Sequence, residues 1–187
     1  EFDFLIVTRD RDIGDSQPYQ NVHVDCWNKV DNAKVFYASR AMLSWRGLKK
    51  IISSTPHDVV YLNSFFSVRT TFAYLFLSRL GLIQRKAIMI APRGEFSLGA
   101  MRLKRLKHIR KIVYIMVMKL FRLYNDLIWQ ASGEYEKQDI RNVMGSIAKQ
   151  IHVAPDLLPI SPIHDNNLVM NSRYSNNKCL RLVFLSR

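Results

Sequence analysis

Apolar residues along this chain fall into short runs separated by polar loops, and the period of the runs changes repeatedly from strand-like to helix-like. Residues 2–8 (FDFLIVT) and 34–38 (KVFYA) read as buried strands, the first running into a polar loop over residues 9–20 that contains RDRDIGD. Across residues 40–53, Met42, Leu43, Leu48, Ile51 and Ile52 make a helical stripe, and Pro56 ends it. Strands are then predicted over 58–62 (DVVYL), 87–91 (AIMIA), 126–131 (DLIWQA) and 150–154 (QIHVA), with helices over 68–82, 101–124 and 134–144 between them.

Alternating β and α segments with short connections predict an α/β fold, a doubly wound parallel sheet covered on both faces. Right-handed crossovers place the functional edge of such a sheet at the carboxyl ends of its strands. The residues there are Arg9 and Asp10, Asn63 and Ser64, Arg93, Gly94 and Glu95, then Ser132, Gly133 and Glu134. After Ala154 the text changes. Pro155, Pro159 and Pro162 crowd together, a polar cluster follows at 171–177, and residues 158–178 read as a linker after a domain of residues 1–157. Residues 179–187 then start a new strand, read as the first of an absent second domain.

The formal net charge of +13 describes a surface that attracts polyanions such as nucleic acid, anionic lipid or phosphorylated substrates. Cys26 and Cys179 are far apart with no Cys-x-x-Cys or Cys/His cluster, so neither a zinc site nor a disulfide framework is predicted, and a cytoplasmic setting is expected. No signal peptide is read in residues 1–7. The longest apolar stretches, residues 72–77 and 112–118, meet Arg79 and Lys119 well short of the roughly 20 residues a spanning helix needs. The five histidines have no metal-ligand spacing, His152 reads as packed within a strand, and no nucleophile-elbow, phosphate-loop or metalloprotease motif occurs.

Three segments carry candidate chemistry. IMIAPRGEFSLG over 88–99 delivers Arg93 and Glu95 to the strand end, where a guanidinium fork suits a phosphate and Gly94 lets a ligand approach the backbone; the pair also reads as a surface ion pair around a helix entry. SGEYE over 132–136 opens a helix whose free N–H groups could receive an anion, whereas Glu134 and Glu136 also read as ordinary dipole-compensating carboxylates. Arg102, Lys104, Arg105, Lys107, Arg110 and Lys111 cluster ahead of IVYIMVM, as a membrane-facing element or as the solvated half of a core helix. Lying near an anionic leaflet, such residues contribute about 1 kcal/mol each.

TRDRDIGDSQPY (8–19), VVYLNSFFS (59–67), IAPRGEFSLGA (90–100), WQASGEYEKQDIR (129–141), IHVAPDL (151–157) and LRLVFLSR (180–187), in that order and spacing, resemble glycosyltransferase family 4, also called group 1. The resemblance covers nearly the whole chain. It implies a GT-B enzyme whose N-terminal Rossmann-like half binds the acceptor and whose C-terminal half binds a nucleotide-sugar donor. On that basis the chain is the acceptor half. No cofactor is expected on it, its opening βα unit is missing, and the donor-site glutamates lie beyond Arg187. The chain carries Arg93 where many relatives carry histidine and Asp156 where many carry asparagine.

The implied activity is sugar transfer to a glycan or lipid-linked acceptor in surface polysaccharide assembly, usually with retention and without a metal. This chain alone is expected to be inactive. By the same resemblance Arg93 and Glu95 are candidate catalytic residues. Asn63, Ser64, Gly94, Arg9 and Asp10 are acceptor-binding candidates, Ser132, Gly133 and Glu134 border the cleft, and the enzyme is peripheral at the inner membrane face. The alternative is a basic binding module for nucleic acid or an anionic membrane surface, with Phe65, Phe66 and Trp129 as its stacking platform.

Overall fold

A computed structural model describes residues 2–102, 105–155 and 180–185. In chain order the elements are β1 (Phe2–Arg9), β2 (Trp27–Val30), β3 (Ala33–Ala38), α1 (Trp45–Ser54), β4 (Val59–Leu62), α2 (Ala73–Arg79), β5 (Ala87–Ile90), α3 (Leu98–Arg102), α4 (Arg105–Leu120), β6 (Ile128–Ala131), α5 (Glu134–Met144), β7 (Gln150–Val153) and β8 (Leu180–Leu185). They build an α/β fold around one eight-stranded sheet of order β2-β3-β1-β8-β4-β5-β6-β7. Every pairing is parallel except β2 on β3.

The strands expected from the apolar runs are present, and β2 is an addition. WNKV shows no alternation and little hydrophobicity, because it is an antiparallel edge strand with mostly exposed residues. The expected helix over 101–124 is described as α3 and α4, on either side of residues 103–104, and stops at Leu120, after which Arg122 turns the chain at φ 52°. The one expected over 68–82 begins instead as a π-helical turn, Val68–Phe72, before α2. Helix α1 starts late, at Trp45, because the Ser44 hydroxyl caps it by accepting from the Gly47 N–H at 3.2 Å. Gly47 is required there: a Cβ would lie 2.5 Å from the Met42 carbonyl oxygen.

Register aligns one row of residues across the sheet, Phe36, Val7, Leu185, Leu62, Ile90 and Trp129, and all of them are buried. Leu48 and Ile51 of α1, Leu75 and Leu77 of α2, Ile115 and Met118 of α4, and Ile140 and Met144 of α5 share a single core with that row. The adjacent row on the opposite face holds Val35 and Tyr61, which are buried, with Ile6, Phe184, Met89 and Ile128, which are partly buried. Among the described residues the helices share the core of the first face, so helical cover expected on both faces is seen there on one. The steps β3 to β4 to β5 to β6 to β7 all move in one direction, so right-handed crossovers stack their helices on one side.

The second correction concerns the end of the chain. Strand β8, expected to open a separate domain, lies in the middle of this sheet, paired with β1 from Phe2↔Leu180 to Val7↔Leu185 and with β4 from Val59↔Leu182 to Leu62↔Leu185. Without it the hydrogen-bonding edges of β1 and β4 would face no partner in the interior, an unsatisfied arrangement that a sheet avoids. The expected linker, residues 158–178, lies outside the described residues, as do Asp156 and Cys179. Cys26 is exposed and forms no disulfide among the described residues. His152, expected to be packed, is exposed on the edge strand β7. No helix among the described residues is long and apolar enough to cross a membrane.

Candidate functional site

The carboxyl ends of β4, β5 and β6 are strapped together by two glutamates. At the end of β5, Pro92 leads into a tight turn in which Arg93 (φ 53°) and Gly94 (φ 73°) both adopt left-handed backbone. For arginine that conformation costs roughly 1–2 kcal/mol, so the surroundings must hold it in place. Glu136 does so. Its Oε1 accepts from the Gly94 N–H at 2.6 Å, while its Oε2 accepts from the Ser132 N–H and the Ser132 hydroxyl, each at 2.7 Å. One buried carboxylate at the third position of α5 thereby ties the β6 loop to the β5 loop.

Glu95 makes the second strap. Its Oε1 accepts from the Ser64 hydroxyl at 2.8 Å, and its Oε2 accepts from the N–H groups of Phe65 and Phe66 at 2.6 and 3.2 Å. These bonds join the β5 loop to the β4 loop, and Tyr114 of α4 closes the arrangement by donating to the Phe65 carbonyl at 2.9 Å. Burial, followed by the nearby Glu95 charge, pushes the Tyr114 hydroxyl well above the usual tyrosine range, so it remains a donor.

Arg93 and Glu95, expected as a catalytic pair, are thus directed differently. The Arg93 side chain turns toward the sheet, donating from Nε to Asn63 Oδ1 at 2.9 Å and from its terminal nitrogen to the Tyr61 hydroxyl at 2.9 Å. Tyr61 in turn donates to Gln130 Oε1 at 2.5 Å, and Gln130 donates to the Ala154 carbonyl at 3.0 Å. A chain of polar contacts therefore crosses the ends of β4, β6 and β7 with Arg93 at its exposed end. Asn63, Ser64, Arg93, Gly94, Glu95 and Ser132 come together as expected.

Other expected residues are placed differently. Asp10 is buried and held by Arg11, through bonds of 2.8 and 2.7 Å to its two oxygens. That hydrogen-bonded guanidinium holds the Asp10 carboxyl below the usual carboxylate range. Gly133 caps α5 in extended backbone, but Glu134 points to solvent and pairs with Lys137 at 2.9 Å. The structural carboxylate of that turn is Glu136, whose place three residues into the helix was the available sign of a reach back to the preceding backbone. Nothing in the spacing pointed to Tyr61 or Gln130.

Part of the basic cluster lies among the described residues. Lys104 and the side chains of Arg102, Arg105 and Lys107 lie outside the described residues. Arg110 is exposed, whereas Lys111 turns inward, donating to the Ala100 carbonyl at 2.8 Å and lying 4.7 Å from the Phe66 ring centre. It holds α4 to the α3 segment and is unsuited to a membrane-facing role. The stacking platform expected for nucleic acid is overturned, since Phe65 and Trp129 are fully buried beneath the loops. No family model matches the chain, and neither a curated protein nor a solved structure matches it.

Proposed function

We propose that the chain is the acceptor-side, Rossmann-like half of a GT-B glycosyltransferase of family 4, acting on a glycan or lipid-linked acceptor. The observation that supports this most is the convergence of NSFFS, PRGEFSLG and SGEYE, distant in sequence, into one strapped polar edge at the strand ends. That edge of an open parallel sheet is where ligands enter. On this reading Arg93 borders the reaction centre and stabilises developing charge, with Glu95 and Glu136 positioning the loop that carries it. The nucleotide-sugar donor is held by a second domain. In the protein carrying that domain, Arg93→Ala lowers kcat by about 10²-fold, the scale expected for loss of one preorganised charge donor.

We also propose peripheral attachment to an anionic membrane. Ile109, Val113, Met116 and Leu120 recur at helical spacing along α4 and are 54, 52, 63 and 78% exposed, an apolar stripe adjoining the basic start of the helix. The chain is expected to float with phosphatidylglycerol vesicles and not with neutral ones, and Met116→Glu with Leu120→Glu to abolish flotation. Equal recovery of wild type and double variant would remove the stripe from the account.

A further inference from the structure

A cavity of about 310 Å³ at the carboxyl edge is lined by four arginines: Arg9 ending β1, Arg11 two residues on, Arg40 just beyond β3, and Arg69 in the π-helical turn after β4. Leu43 lines it on the apolar side, and Asp10, Asp12, Gly14 and Asp15 come from the loop after β1. Arg11 is committed to Asp10 and also donates to the Ser16 carbonyl. Asp12 accepts from the Tyr19 hydroxyl at 2.6 Å. Arg9, Arg40 and Arg69 make no side-chain hydrogen bond or ion pair with another described residue.

Four guanidinium groups and three carboxylates line the cavity, and Arg40 already acts on Asp10, so the lining keeps a small excess of positive charge that an entering anion offsets. The location is also the one where an open α/β sheet takes ligands, since the path from β1 runs outward to β3 while the path from β4 runs the opposite way to β5. The volume is at the small end of ordinary ligand sites, roughly 300–1,000 Å³. Planar guanidinium forks match phosphate oxygens, and the carboxylates of Asp12 and Asp15 accept from hydroxyl groups.

We infer that this cavity binds a phosphorylated sugar, its phosphate held by Arg9, Arg40 and Arg69 and its hydroxyls by Asp12 and Asp15. The inference requires binding alone, and stands or falls separately from sugar transfer. On the transferase reading it becomes the subsite for a phosphate-bearing acceptor.

The test is calorimetric titration of the 187-residue chain with glucose 6-phosphate, inorganic phosphate and glucose at one fixed salt concentration. Glucose 6-phosphate is expected to bind one to one and about tenfold more tightly than inorganic phosphate, glucose to show no heat, and Arg40→Gln and Arg69→Gln each to weaken the sugar phosphate about tenfold. Both side chains are exposed, so an unchanged urea midpoint shows that the variants remain folded. Absence of binding, equal affinity for sugar phosphate and inorganic phosphate, or undiminished binding by the Arg40→Gln, Arg69→Gln double variant would each overturn the assignment.

Discussion

Val183→Asp is expected to destroy cooperative folding. Val183 is fully buried in β8, opposite Leu5 of β1 and Val60 of β4, in the same core as the helices. An unpaired carboxylate there loses its hydration with no compensating partner, an effective penalty of several kcal/mol. A domain of ordinary stability has only about 5–15 kcal/mol in total. Arg181→Ala, two residues earlier on the same strand, removes an exposed side chain whose pairing with Asp3 is long at 3.9 Å. It should shift stability by less than about 0.5 kcal/mol. Urea unfolding followed by far-ultraviolet circular dichroism distinguishes the two; equal behaviour would mean that β8 is not a central strand of this sheet.

The second large effect is at Glu136. In Glu136→Gln one acceptor oxygen is replaced by an NH2 group, which then faces N–H or O–H donors from Gly94 or Ser132. Hydrogen bonds to a charged acceptor contribute about 1.5–3 kcal/mol each, and a buried donor left without a partner costs a comparable amount. A loss of roughly 2–4 kcal/mol follows, together with release of the strained Arg93–Gly94 turn. Glu134→Gln, in the same helical turn, changes only an exposed pair with Lys137 and should leave the urea midpoint nearly unmoved. A midpoint in Glu136→Gln as high as in wild type would show that the carboxylate is not the strap described.

These two variants also mark what the sequence made legible. Short apolar runs located every parallel strand, including β8, whose residues LRLVFL follow a long polar stretch. They did not say where β8 pairs, since a strand's partners in a parallel sheet are set by contacts far away in sequence, here with Phe2–Val7 and Val59–Leu62. Strand β2 went unseen because an exposed edge needs no apolar pattern. The strand-end residues were found because a polar group directly after a buried run is an anomaly that a site explains. Their mutual roles were hidden: Glu134 and Glu136 look alike on a helical wheel's first turn, and only the fold brings Gly94 to Glu136 across 42 residues.

The face of the sheet that carries the described helices followed from the same non-local order. With β8 placed centrally, the described crossovers from β3 onward all run one way, and the opposite face keeps Phe184 and Met89 partly exposed. Phe184 still packs there against Tyr61 at 4.7 Å and Phe4 at 5.6 Å, an aromatic row that leads along β4 to the Arg93 contact.

The proposal of sugar transfer is tested most directly by transfer itself: the protein together with the donor domain that the proposal assigns to it, supplied with labelled nucleotide sugars and lipid-linked or phosphorylated glycan acceptors, with Arg93→Ala assayed beside it. The account predicts label in the acceptor for the wild type and a rate about 10²-fold lower for Arg93→Ala. A wild type that transfers no sugar from any of the donors, or an Arg93→Ala protein that transfers as fast as wild type, would contradict it.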